Sequence, residues 1–439
     1  MNAIKFDIVK KMSDEAPGSL GRAGVISTAH GNIQTPAFVT VGTKATVKGI
    51  TPEMLKETGA QVMLANTYHL YLQPGDELIH KAGGLGRFSG WNGPTMTDSG
   101  GFQAFSLGAA FGKDLGKLVK GEGGKGAAGE MPLSETTETA KAMKAKAGGR
   151  DSLNAQDGAA LKPAQVDENG VMFRSVIDGS AHYFSPEKSI AIQHNIGADM
   201  IFAFDECTSP TESLSYQRQS LDRTHRWAKQ CLQYHHSKDN AERQALFGVL
   251  QGGRFEDLRK ESAEKLAAMR ITDRNGVEQG FDGFGIGGSF AKEDMSSAVA
   301  WVNSVLPEEK PRHLLGIGEP EDLFMAVEQG CDLFDCVLPT RNGRTGTVFT
   351  KYGKVNIGNT KYRDDLGPID EGCECYACKN YSRAYVAHLF HAKEMLAGTL
   401  ASIHNLHFLI KLVDNMRQAI LDGNFAEYKK NFLGLYLKD

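Results

Sequence analysis

Three cysteines fall within six positions, Cys373-x-Cys375-x2-Cys378, and a helical stretch after them carries His388, His391, His404 and His407. Three thiolates and one imidazole make a closed tetrahedral zinc site. Such a site has no open position for a substrate and holds a small lobe together, so one structural zinc per chain is expected. Spacing alone does not choose among the histidines. The other reading, three unrelated buried thiols, leaves the clustering unexplained. Seven cysteines spread over a long chain do not form the pattern of a disulfide framework.

Carboxylates make a second set: Asp98 in MTDSGGFQ, Asp205 and Glu206 in FAFDEC, and Asp335 in LFDCVLPTR. Each follows or ends a short apolar run. At such a place a carboxylate is desolvated and can act as nucleophile, acid/base or acceptor for a base edge. Taken singly, each could equally cap a turn or helix; on separate strands of one sheet they converge. The glycine pairs Gly100-Gly101, Gly252-Gly253 and Gly287-Gly288 allow a flat ligand to approach the backbone, or else make tight turns. Gln251 beside one of them can both donate and accept. Finally, residues 340 to 363 carry Arg341, Arg344, Lys351, Lys354, Lys361 and Arg363 without one acidic residue, interleaved with Tyr352 and Tyr362. This is either a solvated basic face or a phosphate-contacting surface.

Something must position these groups. Eight short apolar runs recur at 37–43, 61–68, 95–101, 199–206, 245–253, 282–289, 313–320 and 333–340, several followed by amphipathic stretches such as FEDLRKESAEKLAAM. Continuous apolar strands alternating with helices imply a parallel sheet covered on both faces. Eight such units imply an α/β fold of the (βα)8 TIM-barrel type, with its active site at the strands' C-terminal ends. A doubly wound open sheet is the rival, because periodicity does not show closure.

The 439 residues, 41% hydrophobic and 23% charged, are enough for a large core and exclude global disorder. A net charge of −4 means that any polyanion must be met by a local basic patch. No run approaches the 18 or more apolar residues of a membrane span, and the first residues lack the apolar core of a secretion signal. A cytoplasmic protein with no membrane partner is therefore expected. Residues 108–170 stand apart, with 12 Gly, 12 Ala and 8 Lys. They read as a mobile insertion, with one short helix near 134–147. Setting it aside leaves a chain suited to a single barrel domain over 1–439, with a zinc-binding region over 341–410 that carries most of the basic stretch.

Asp98-Ser-Gly-Gly-Phe-Gln103, Asp205-Glu-Cys207, Gln251-Gly-Gly253, Gly316-Ile-Gly-Glu-Pro-Glu-Asp322, Phe334-Asp-Cys-Val-Leu-Pro-Thr-Arg341, the cysteine knuckle and Ile403-His-Asn-Leu406 together resemble the tRNA-guanine transglycosylases, most closely the bacterial type. The resemblance covers roughly residues 5–107 and 171–425. It implies a pentosyltransferase on a (βα)8 barrel with a small zinc-binding subdomain near the C-terminus. Such an enzyme exchanges guanine at the anticodon wobble position of tRNA for a 7-deazaguanine, preQ1 or queuine, in queuosine modification. The reaction passes through a covalent ribosyl-enzyme intermediate and needs no redox cofactor. By position, the resemblance makes Asp335 the nucleophile and Asp98 the acid/base. Ser99, Gly100, Gly101, Phe102, Asp205, Gln251 and Gly288 would bind the base. Gly316, Ile317, Gly318, Glu319, Pro320, Glu321, Asp322, Thr340, Arg341, Asn342, Gly343 and Arg344 would contact RNA. It makes His404 the fourth ligand beside Cys373, Cys375 and Cys378, and it allows a homodimer, since family members often dimerise through the zinc region.

Two departures bear on this. The family has a short connection where this chain has residues 108 to about 170. The loop Gly287-Gly-Ser-Phe-Ala-Lys-Glu-Asp-Met295 is about three residues shorter than in many relatives and leaves their aminomethyl-binding glutamate without a clear counterpart, so the identity of the base stays open. The alternatives are a relative acting on another tRNA position or on DNA, or a catalytically silent tRNA-binding subunit; the presence of both Asp98 and Asp335 counts against the last.

Overall fold

The computed structural model of the protein describes residues 3–14, 18–109, 118–119, 164–288 and 290–438. Each of the eight expected runs overlaps a strand: β1 Ala37–Val41, β2 Met63–Ala65, β3 Thr95–Thr97, β4 Met200–Phe202, β5 Ala245–Leu250, β6 Gly283–Ile286, β7 Arg312–Leu314 and β8 Leu333–Cys336. They pair in parallel in chain order and close into a barrel, β3 meeting β4 at Met96 and Met200, and β8 meeting β1 from Leu333 opposite Ala37 to Cys336 opposite Thr40. Closure excludes the open doubly wound sheet. The strands stop short of the apolar runs because the glycine and polar residues at their ends turn the chain.

Alternation along the strands divides the core in two. Val39, Val41, Leu64, Met96, Met200, Phe202, Phe247, Val249 and Leu333 fill the barrel, while Phe38, Met63, Ile201, Leu246, Phe284, Ile286, Leu314 and Phe334 pack outward with the helices. The GFGI sequence of β6 follows from the interior phenylalanines. A Cβ at Gly283 would lie 2.6 Å from the Phe247 ring, and one at Gly285 would lie 2.7 Å from Phe202.

Period-two reading places the chemistry. Asn66 lies two residues beyond Leu64, Asp98 beyond Met96, Gln251 beyond Val249 and Asp335 beyond Leu333, so these side chains continue the inward rows into the barrel mouth. The opposite end is closed by an antiparallel sheet of Lys5–Lys11, Arg22–Thr28 and Gly31–Thr35, whose Ile26 and Ile33 join the interior cluster. These strands form no continuous apolar run, because polar residues interrupt them.

Part of the expected insertion is built into the structure. Ala164–Val166 is an edge strand beside Val171–Arg174, which pairs with Ala181–Phe184, and Leu118–Val119 pairs with Phe290–Ala291. The helix expected near 134–147 lies outside the described residues.

After β8 the chain forms the helix Leu338–Arg344, the hairpin Thr347–Thr350 with Gly353–Asn356, and a lobe with its own core of Val348, Ile357, Ile369, Val386 and Leu389. The helix Met395–Asp422 ties lobe to barrel. It is long and apolar enough to cross a membrane, contrary to the reading of the sequence, but most of its apolar window is buried inside the protein. Its buried Asn405 accepts from the Phe349 N–H (3.0 Å) and donates to the carbonyls of Pro339 (3.0 Å) and Thr347 (2.9 Å), bolting the hairpin to the helix after β8.

Candidate active site and metal centre

Asp335 sits near the end of β8 with its side chain 15% exposed. Its Oδ1 accepts from His313 Nε2 on β7 (2.9 Å) and from the Gly316 N–H (3.1 Å). Asp98 lies just past β3. The Thr67 N–H donates to its Oδ1 at 2.8 Å, and the Asn66 amide donates to Oδ2. Burial pushes the Asp98 carboxyl above the ordinary carboxylate range, against the lowering effect of hydrogen bonds from Asn66, Thr67 and Gln103, and the charge of Asp335 adds to the rise. The two carboxylates thus share one electrostatic site.

Beside them, Asp205 accepts from Ser99 Oγ (3.1 Å) and Gln251 Nε2 (2.6 Å), while Ser99 Oγ also receives the Gly101 N–H (3.2 Å). Gln251 Oε1 is buried and has no hydrogen-bond partner among the described residues. Gly100 has φ +76° and packs against Phe184 and Tyr68. Phe102 is half-buried at the start of the helix Gly101–Ala109. Gly288 has φ +98°, and a Cβ there would stand 2.5 Å from the Arg259 guanidinium. Arg259 is fully buried and joins two glycine pairs, donating from Nε to the Gly253 carbonyl (2.7 Å) and from Nη1 to that of Gly287 (2.8 Å). Burial draws its pKa down to about 9. Glu206 faces elsewhere, paired with Arg223 and accepting from Tyr216 OH at 2.7 Å.

The segment proposed to meet RNA is only partly accessible. Ile317, Gly318, Pro320, Asp322, Thr340 and Gly343 are buried, and Gly316 is half-buried. A Cβ at Gly318 would strike Cys336, and one at Gly343 would strike the Ser402 backbone. Glu319, Glu321, Arg341 and Asn342 are partly exposed and Arg344 is exposed. Glu319 receives Lys354 at 2.5 Å. Of the two tyrosines in the basic stretch, Tyr352 is exposed, whereas Tyr362 is buried and cannot offer its face to a base.

Cys373, Cys375, Cys378 and His404 bring their ligand atoms within 4.8 Å of one another. The three Sγ atoms lie 3.7, 3.5 and 3.3 Å from His404 Nδ1. Tetrahedral zinc with Zn–S of about 2.3 Å needs ligands roughly 3.5–4 Å apart, so the set fits. His404 Nε2 donates to the Phe349 carbonyl (2.7 Å), which leaves Nδ1 to face the thiols. Hydrogen bonds from Cys373 and Cys375 hold the Cys378 thiol well below its ordinary range. The four residues therefore form a cluster that could bind a metal ion. Asp222, His225 and Glu261 form another group of ligand-type residues, but Glu261 is already held by Arg218 and Lys265.

The family model described as queuine tRNA-ribosyltransferase matches residues 17–120 and 130–438. The chain belongs to the queuine tRNA-ribosyltransferase family. It is 44% identical over 439 residues to the protein of that name from a Thermoanaerobacter species, covering 99% of this chain and 98% of the relative. It is 42% identical over 436 residues to the one from Fusobacterium nucleatum, covering 99% of each chain. A protein named putative queuine tRNA-ribosyltransferase from Archaeoglobus fulgidus is 43% identical over 424 residues, 94% of this chain and 96% of its own. Asn66, Thr67, Arg259 and His313 contact the candidate site residues, and no motif of the sequence marks them.

Proposed function

We propose that the protein is a pentosyltransferase that exchanges guanine at the tRNA anticodon wobble position for a 7-deazaguanine. The observation that carries this is the placing of Asp335 and Asp98 at one barrel mouth, within reach of each other's charge, beside a polar cluster of Asp205, Gln251 and Ser99. An oxygen of Asp335 attacks C1′ of the ribose as the N-glycosidic bond breaks, building the ester that a retaining glycosidase builds with its carboxylate. Asp98, whose carboxyl burial raises above the ordinary carboxylate range, gives a proton to the departing guanine and later takes one from the incoming base. Guanine offers N1–H and an amino group to acceptors, and Asp205 with the unpartnered Gln251 Oε1 supplies them. Such a pocket admits only a base swung out of the stack, which suits a single-stranded loop of tRNA.

Arg341 and Arg344 on the helix after β8, with Lys351 and exposed Tyr352 on the hairpin, are proposed as the local basic surface for RNA. Zinc held by Cys373, Cys375, Cys378 and His404 would supply rigidity to this lobe and no reaction step. Exposed Leu366, Tyr376, Tyr385 and Met395 on the same lobe support a homodimer, which sedimentation at graded concentrations tests. A cytoplasmic location accords with a tRNA substrate.

Incubation with labelled guanine and unmodified tRNA tests the function. Label should enter the tRNA at the wobble nucleotide, and Asp335→Asn should abolish entry. No incorporation by the unaltered protein, or incorporation at another position, would sink the reading.

A further inference from the structure

His313 is fully buried on β7 and points into the barrel, where its ring meets Phe202 edge-on at 5.5 Å between centroids. Nε2 lies 2.9 Å from Asp335 Oδ1, while Nδ1 is buried and has no hydrogen-bond partner among the described residues. A carboxylate can only accept, so Nε2 carries the hydrogen. The ring is thus oriented by Asp335 and by packing, with no second polar group among the described residues to hold it. The Gly316 N–H, in the turn directly after β7, reaches the same Oδ1 at 3.1 Å. One strand and its following turn therefore place two donors on one oxygen of the carboxylate.

We propose that His313 is a positioning residue for Asp335, acting with the Gly316 N–H as a fixed donor pair that holds the carboxylate for attack and receives its charge when it departs. The inference rests on the reading of Asp335 as nucleophile. In the first half-reaction the Asp335 Oδ2–C1′ bond forms as the C1′–N9 bond breaks, and guanine leaves with that electron pair and a proton from Asp98. Oδ1 becomes the ester carbonyl oxygen, still facing His313 and Gly316. In the second half, N9 of the incoming base gives its proton to Asp98 and attacks C1′. The ester C1′–O bond breaks, its electron pair returns to the carboxylate, and the donor pair stabilises the charge as it forms. Donors fixed in a water-poor site act most strongly on charge that develops during the step.

Three measurements test this: kcat and KM for tRNA in the exchange of labelled guanine, and the rate at which an isolated RNA adduct is discharged by added guanine. His313→Phe keeps the ring volume and removes the donor. It should lower kcat and adduct discharge about 100-fold and leave KM for tRNA within about twofold. The amide of His313→Gln reaches about as far as Nε2 and should restore both rates to within about fivefold. If His313→Phe exchanges within about threefold of the unaltered protein, or if His313→Gln is as slow as His313→Phe, His313 has no positioning role. Asp335→Asn in parallel separates the premises. Adduct formation by that variant overturns the nucleophile itself, whereas an inactive Asp335→Asn beside an active His313→Phe overturns only the role of His313.

Discussion

Asp332 and Asp335 stand at the two ends of β8, and their partners differ in kind. At the barrel floor Asp332 is fully buried, receives Arg22 through two bonds of 3.0 and 2.7 Å, and accepts the Arg312 N–H at 2.8 Å. Burial draws the Arg22 guanidinium down, but the charge and hydrogen bond of Asp332 outweigh it and leave its pKa raised. Asp199 before β4 is held similarly, by His30 (2.6 Å) and by the N–H and hydroxyl of Thr95 (2.8 and 3.1 Å). At the mouth, Asp335 receives His313 and the Gly316 N–H, and Asp98 lies within the reach of its charge. The same residue type on the same strand is neutralised by a cation at the floor and opposed by a like charge at the mouth, where the proposed chemistry lies.

Substitutions at the two ends should separate these roles. Asp335→Asn is expected to lower guanine exchange by at least about 1,000-fold with little change in the melting temperature, since it keeps the shape of the side chain. Asp332→Asn should do the reverse, leaving Arg22 buried beside a neutral amide. A loss of about 3–5 kcal/mol in denaturant unfolding is expected, with kcat of the folded fraction preserved. If the floor variant lost kcat while remaining folded, the division between the ends of the barrel would fail.

The Cys373, Cys375, Cys378 and His404 cluster is set beside the floor, since zinc held by all four proposed ligands would have no open position. Metal analysis should find about one zinc per chain. Removing it with a chelator should expose the lobe between 347 and 391 to protease before the barrel is cut, and activity should fall in step with cleavage. Activity lost with the lobe still resistant would assign the ion a direct part in the reaction.

How far these roles were legible follows from the local signals. The strands of the barrel could be read because burial on both faces leaves uninterrupted apolar runs, and Asp98, Asp205, Gln251 and Asp335 because they interrupt those runs at their C-terminal ends. Asn66 carries the same positional signal after Met63–Ala65, but an amide lacks the charge that singles out a carboxylate at a strand end. His313 carries a weaker one, since a lone histidine in an apolar strand says nothing of its partner until β7 and β8 are adjacent. Arg259 was hidden in the amphipathic helix Glu256–Ala268, where arginine ordinarily faces water; its burial follows from the carbonyls of Gly253 and Gly287, which come together only in three dimensions. The floor sheet carries no such run, since polar residues interrupt its strands.

The smallest expected effect probes the like-charge coupling itself. Burial raises the Asp98 carboxyl above its unfolded value near 4. A raised folded-state pKa contributes stability that is fully present below the unfolded value and is lost as pH rises through the folded one. Above its folded-state value the ionised Asp98 therefore costs stability that Asp98→Asn does not incur. Relative to the unaltered protein, that variant should gain in melting temperature as pH is raised from 4, levelling off once Asp98 is ionised. The charge of Asp335 contributes to the rise, so repeating the comparison in an Asp335→Asn background should move the transition to lower pH. An unmoved transition would mean that burial alone sets the Asp98 proton and that the two mouth carboxylates, unlike Asp332 and Arg22 at the floor, are energetically separate.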